Sequence, residues 1–153
     1  MRLLALIGIA ALLATSLPGA EAAPPQGLGP VNGKVIWVDF WASWCVPCRR
    51  SFPWMNTMHR KYAAEGLEII AVNLDKDRAL ADGFLAEVPA EFALRFDPAG
   101  NLAREFEVQA MPSSYLLDAD GKVLASHFGF KTDDAPHYER AIEDALAAAR
   151  TAN

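Results

Sequence analysis

The sequence predicts an α/β domain in which helices flank a mixed β-sheet, and three observations lead there. Apolar runs of strand character at residues 35–40 and 67–74 are each followed by a helical pattern. A later pair of strand-like runs, 114–117 and 123–128, is joined by Asp118-Ala119-Asp120-Gly121 and reads as a hairpin. The only two cysteines fall in Trp44-Cys45-Val46-Pro47-Cys48, between the first strand and the first helix. The order βα, βα, a short βα, a β-hairpin and a final helix suits a layered domain with parallel and antiparallel strands.

Length and composition fit one such domain. The chain has 153 residues, 52% of them hydrophobic, which is enough to build a core. A net charge of −5 excludes nucleic acid as an expected partner. Residues 3–17 form an almost unbroken apolar run behind Arg2, Pro18-Gly19 breaks it, and Ala20-Glu21-Ala22 supplies a small-x-small pattern. Residues 1–22 are therefore expected to be a secretory signal peptide cut after Ala22. The alternative is an uncleaved inner-membrane anchor, although the run is shorter than the roughly 20 residues a spanning helix needs. Export places the cysteines in an oxidising compartment, the periplasm for a bacterial chain.

Residues 23–34, rich in Pro and Gly, read as an extended lead-in, and 35–150 as the folded domain. Asp39 is the single ionisable residue of the first strand. The first helix is expected to open near Cys45, with Pro47 tolerated in a turn whose amides have no intrahelical partner. Pro53 should kink it, Phe52, Met55, Met58 and Tyr62 form its apolar face, and Gly66 ends it. After the second strand, Asp75 or Asp77 caps a helix over 78–87, which Val88-Pro89 stops. A short strand over 92–96, a turn at Asp97-Pro98-Ala99-Gly100 and a short helix over 101–106 follow. Thr132-Asp133-Asp134 is a suitable cap for the last helix, about 136–150.

Cysteines three apart on a first helical turn are neighbours, so they can close and reopen a small disulfide ring. A helix N-terminus favours negative charge and lowers the pKa of the leading thiol. Strand, CxxC and helix in that order point to a thiol–disulfide redox site. Cys45 is the candidate attacking thiolate, expected to be partly exposed beside unpaired amides, and Cys48 is the resolving thiol. A structural disulfide is the competing reading, but so small a ring restrains the unfolded chain little. Zinc wants four ligands and no other cysteine is present. Neither metal nor cofactor is expected. Burial should raise the pKa of Asp39, unless it reaches solvent or a backbone amide at the strand end.

Val38-Asp39-Phe40-Trp41-Ala42-Ser43-Trp44-Cys45-Val46-Pro47-Cys48 resembles a thioredoxin-fold active site. Met111-Pro112 is similar to that family's cis-proline, which faces the disulfide. Ile69-Ile70-Ala71-Val72-Asn73, Arg95-Phe96-Asp97, Ala103-Arg104-Glu105-Phe106-Glu107-Val108 and Ser114-Tyr115-Leu116-Leu117-Asp118-Ala119-Asp120-Gly121-Lys122 resemble the branch of secreted reductases called TlpA, ResA or DsbE. Residues 75–96 would be the extra segment of that branch. The resemblance runs from about residue 33 to about 130 and implies a thioredoxin fold, three layers with a central mixed sheet between helices. It also implies that Asp39 takes the proton from Cys48 during resolution and that the Met111 backbone, beside Pro112, pairs with an extended substrate segment. Val46 and Pro47 would tune the potential, and Pro47 is typical of reducing members. Three features depart from the branch: the lead-in is short, Asp39 stands where Asn is usual, and Ser51 stands where Glu is frequent.

Trp44, adjacent to the nucleophile, is the candidate for partner contact, while Trp41 either shields the disulfide or is ordinary core. Ser51, Arg49 and Arg50 read as helix surface, His59 as a solvated helix residue, His127 as a surface strand residue, and His137 as first-turn in the last helix. The expected protein is a monomeric periplasmic reductant of disulfides in exported proteins. By resemblance its substrates would be apocytochrome c or copper-site assembly proteins, and a membrane electron donor would re-reduce it. The alternatives are a dithiol oxidase of exported proteins, or a copper-binding chaperone using Cys45, Cys48 and His127.

Overall fold

Seven consecutive buried residues, Val35–Trp41, form strand β1 at the centre of a five-stranded sheet. The computed structural model describes residues 26–29, 31–32 and 35–151. The expected signal peptide and half of the expected lead-in lie outside the described residues. The other strands are β2 (Leu67–Asn73), β3 (Ala93–Phe96), β4 (Ser113–Asp118) and β5 (Val123–Phe128), in the order β3-β2-β1-β4-β5. Helical crossovers return β2 and β3 parallel to β1, whereas β4 and β5 run antiparallel as a hairpin. The sheet is thus mixed, as expected.

Four helices complete the fold: α1 (Cys48–Tyr62), α2 (Arg78–Glu87), α3 (Asn101–Glu105) and α4 (Ala135–Thr151). Side chains alternate across a strand, so β1 serves two cores. Val35, Trp37 and Trp41 pack with Phe52, Met55, Met58 and Tyr62 of α1, and with Tyr138, Ile142 and Leu146 of α4. Ile36, Val38 and Phe40 pack on the opposite face with Leu102, Phe106 and Leu28. The three layers follow from this division. Phe52 is fully buried and meets Trp41, Phe84 and Phe92 edge-on at centroid distances of 4.9, 5.0 and 5.4 Å. Burial of such a side chain contributes about 2–3 kcal/mol.

Several element ends differ from the sequence reading. The first helix opens at Cys48, not near Cys45. Pro47 has no amide to donate, and the chain ahead of it winds into tighter turns, Cys48 N–H to Cys45 O at 3.2 Å and Arg49 N–H to Val46 O at 3.2 Å. The first bond of α-helical span is Ser51 N–H to Pro47 O, at 3.1 Å. α1 continues through Pro53 to Tyr62, and a 3-10 turn (Ala63–Glu65) leads to Gly66 at φ 110°. That backbone conformation suits glycine, which has no Cβ. The lead-in is not wholly extended: Gln26–Leu28 forms a 3-10 turn, and Leu28 fills the α3 side of the core. A Cβ on Gly27 would lie 1.8 Å from Leu102 Cδ1, so a larger residue there would displace the end of the Leu102 side chain. Thr132–Asp134 is a 3-10 turn feeding α4, with no side-chain cap bond at its own start.

Between the two acids proposed to cap α2, the structure selects Asp77. Its Oδ1 accepts the Ala79 N–H at 2.9 Å. Asp77→Ala should lower stability by about 1 kcal/mol, read as a reduced urea midpoint at unchanged m. An unchanged midpoint would show that water replaces the cap. Asp75 has a different position, next to the cysteine loop.

Candidate active site

The cysteines close a disulfide, S–S 2.10 Å, at the junction of β1 and α1. The junction is a turn held by Cys45 N–H to Ala42 O at 3.0 Å. The Cys48 N–H, at the helix start, is shared between Cys45 O at 3.2 Å and Cys45 Sγ at 3.3 Å. An amide so placed favours negative charge on that sulfur when the pair is reduced.

Cys45 is buried, at 3% exposure, rather than partly exposed as expected. The turn folds its sulfur back on the helix end, and its neighbours take the solvent instead: Trp44 is 67% and Val46 64% exposed. Pro47 caps α1 between the thiols. Cys48 is fully buried.

Ser51 corrects a second expectation. It is 2% exposed, not a surface residue, and its hydroxyl donates to Cys48 O at 3.2 Å. The spacing explains this: Cys48, Ser51, Phe52 and Met55 share the inward face of α1. Arg49 and Arg50 remain exposed, and Arg49 pairs with Glu87 at 2.7 Å. Trp41 is core, fully buried against Phe52 and Phe84.

Asp39 lies on the α1 face of β1, in register with Ser114 of β4. Ser114 Oγ donates to its Oδ1 at 2.5 Å, and Oδ2 is buried without a partner. Burial therefore dominates and raises the pKa from 3.8 to about 7, against the opposing Ser114 bond. The expected strong perturbation is present, and its partner Ser114 was not foreseen. Nothing local in the sequence pairs the two, since only the antiparallel register of β1 and β4 does so.

Met111-Pro112 is a cis peptide, ahead of the first residue of β4. Met111 packs against the apolar cluster that contains both cysteines. Its backbone stands outside the ladder, because β4 starts at Ser113. The loop is held from behind: Ser113 Oγ donates to Ala110 O at 2.6 Å and the Gly129 N–H donates to Pro112 O at 2.8 Å.

The histidines differ from the sequence reading in part. His127 is half-buried, stacked on Trp37 at 5.6 Å and tilted on Tyr138 at 4.7 Å, because the Trp37 face of the sheet extends beneath β5. Burial, then nearby His137, lowers its pKa below the ordinary histidine value. His59 is also half-buried, with a buried Nδ1 that has no partner, since α1 turns part of that side inward. His137 is exposed in the first turn of α4. Among the described residues, no three or more His, Cys, Asp or Glu side chains gather into a metal-holding group. None of their helices is long and apolar enough to cross a membrane.

A mixed sheet between helices, a CxxC disulfide where the central strand meets its helix, and a cis-proline loop against the same cluster define the thioredoxin class of fold. A family model described as Redoxin matches residues 14–142, and the chain belongs to that family. The solved structure of a Chlorobium tepidum protein, provisionally assigned as thiol:disulfide interchange protein DsbE, is 53% identical. Its TM-score is 0.73, over 74% of this chain and 81% of that one. StoA of Bacillus subtilis shares the fold at 23% identity and TM-score 0.64, over 74% of this chain and 85% of its own. The thiol-disulfide oxidoreductase ResA of Bacillus thuringiensis subsp. konkukian (strain 97-27) is 33% identical over 103 residues. That match takes in 67% of this chain and 60% of the relative, so the chain spans about three-fifths of the curated relatives it matches.

Proposed function

We propose that this chain is a thiol–disulfide oxidoreductase that reduces disulfides in exported proteins within the periplasm. The observation that carries the reading is the Cys45–Cys48 disulfide at the head of α1, with the Cys48 amide on the Cys45 sulfur. The names of the ResA and DsbE relatives support thiol–disulfide exchange, and Pro47 between the thiols favours the reducing direction. The apolar leader and its Ala20-Glu21-Ala22 pattern support export.

In the reduced protein, Cys45 thiolate attacks one sulfur of a partner disulfide. A new S–S bond forms, the partner's own bond breaks, and its second sulfur leaves as thiolate. Cys48 then loses its proton, with Asp39 as acceptor, and attacks the Cys45 sulfur. The Cys45–Cys48 disulfide forms, and the partner departs with two thiols and two electrons. Trp44 and Val46 supply an apolar landing surface beside the buried sulfur, and the Met111 backbone offers unladdered groups to an extended segment. Val46 and Pro47, between the thiols, tune the potential. A membrane electron donor would restore the dithiol, and maturation of cytochrome c or of copper sites are fitting settings.

The reduction potential of the pair tests the direction. Equilibration with a glutathione buffer should give a value near about −270 mV, as expected of a reductant. A value near about −120 mV would overturn it in favour of a dithiol oxidase. Tight Cu(I) binding abolished by both Cys48→Ser and His127→Ala would instead establish a copper chaperone.

A further inference from the structure

We infer that Asp75 is a positioning residue for the dithiol, holding the turn that aims Cys45. The inference rests on the redox reading above and adds to it a group outside the CxxC itself.

β1 and β2 run parallel with Trp41 opposite Asn73. Leu74 N–H donates to Trp41 O at 2.9 Å beyond that pair. Two residues further, the strands have separated, and the register would place Ser43 opposite Asp75. There a side chain takes over from the ladder. Ser43 N–H donates to Asp75 Oδ2 at 2.9 Å and Ser43 Oγ donates to Oδ1 at 2.9 Å. Asn73 Nδ2 donates to Oδ2 at 2.7 Å, and Asp75 N–H donates to Asn73 Oδ1 at 3.0 Å. Asp75 is 6% exposed, so these bonds are shielded from competing water.

Ser43 stands two residues before Cys45. The next residues on the chain offer little anchorage, since Trp44 and Val46 both face solvent. The Cys48 amide stabilises a Cys45 thiolate only if the turn keeps sulfur and amide together, at 3.3 Å in the disulfide form. Asp75 secures the strand-side end of that turn, and α1 secures the other. Loosening the first end lets the sulfur drift from the amide. The thiol pKa then rises and the reduced form loses stability, so the potential becomes more negative.

Three variants separate position from charge. Asp75→Ala removes every bond to Ser43, and Ser43→Ala removes one while leaving the carboxyl group in place. Asp75→Asn can keep the arrangement: its oxygen accepts from Ser43 N–H and Asn73, and its nitrogen donates to the Ser43 hydroxyl. The pH dependence of iodoacetamide alkylation of the reduced protein reads the Cys45 thiol pKa. Equilibration with glutathione reads the potential. Alkylation at pH 7 should slow by about threefold in Ser43→Ala and about tenfold in Asp75→Ala, with Asp75→Asn near wild type. The glutathione equilibrium should move toward disulfide in the same order.

Wild-type alkylation and equilibria in both alanine variants would overturn the inference. Faster alkylation in Asp75→Asn would also overturn it, because the effect would then be one of charge. If Asp75→Ala does not fold, Ser43→Ala alone decides. A wild-type protein that fails to exchange with glutathione at all would remove the redox reading itself, and the inference with it.

Discussion

Cys48→Ser is expected to halt disulfide exchange halfway, with the partner left covalently attached to Cys45. Cys45 precedes α1 and receives the helix-start amide, whereas Cys48 is wholly enclosed beneath it. Cys45, at 3% exposure, sits between the exposed Trp44 and Val46, whereas Cys48 is fully buried. In the proposed mechanism the enclosed thiol completes the reaction from inside, after the mixed disulfide has formed. Removing it leaves capture intact and blocks release. Cys45→Ser removes capture as well, and turnover of a protein disulfide should fall by on the order of a thousandfold or more in either variant. Mass spectrometry distinguishes them: the Cys48→Ser protein carries the mass of one partner, and the Cys45→Ser protein carries none. Stable adducts in Cys45→Ser instead would reverse the assigned order of attack.

Asp39 should make both catalysis and stability depend on pH through neutrality. Its carboxyl is held near pKa 7 in the folded chain against 3.8 as the ordinary value, through burial that the Ser114 bond only partly offsets. A raised folded-state pKa means that the native protein binds the proton more tightly than the unfolded chain. Its contribution to stability is then fully present below about pH 4, is lost as pH rises toward the folded pKa near 7, and stays lost above it. The total loss is about 4 kcal/mol. Asp39→Asn keeps an oxygen for Ser114 and removes the ionisation. It should be more stable than wild type at pH 8.5 by up to about 4 kcal/mol, and similar near pH 4. Urea unfolding at the two pH values measures this, and equal differences at both would place the titration elsewhere. The rate of partner release should rise through about pH 7 in wild type, as Asp39 becomes a proton acceptor. In Asp39→Asn, release should be slower and should lack that rise, while mixed-disulfide formation is little altered. Matching release profiles would exclude Asp39 from proton transfer.

These two outcomes draw unequally on sequence and structure. The pairing of Cys45 with Cys48 needs only covalent nearness, and a spacing of three residues shows it directly. The burial of Asp39 was legible too, because apolar residues surround it along β1. Its partner was not, since Ser114 lies 75 residues away and meets it through the sheet register alone. Ser51 could have been placed correctly by counting from Cys48 along the apolar face of α1. A hydroxyl on that face is enclosed with its apolar neighbours, Phe52 and Met55. Cys45 was harder. Its exposure depends on how the turn from Ala42 to Pro47 closes against the start of α1.

By itself, then, the sequence determined the element order, the nearly continuous apolar run that makes β1 a central strand, and the dithiol at the head of a helix. These rest on interactions within a few residues, which periodicity and composition record. Tertiary structure alone decided which polar groups are enclosed and what they touch. Asp75 meets Ser43 across 32 residues and Asp39 meets Ser114 across 75. Hydrogen bonds of that separation arise from strand register and packing, and burial then determines how strongly each one acts. The disulfide ring is thus written locally, while the buried carboxylates Asp39 and Asp75 acquire their partners only when the sheet closes around them.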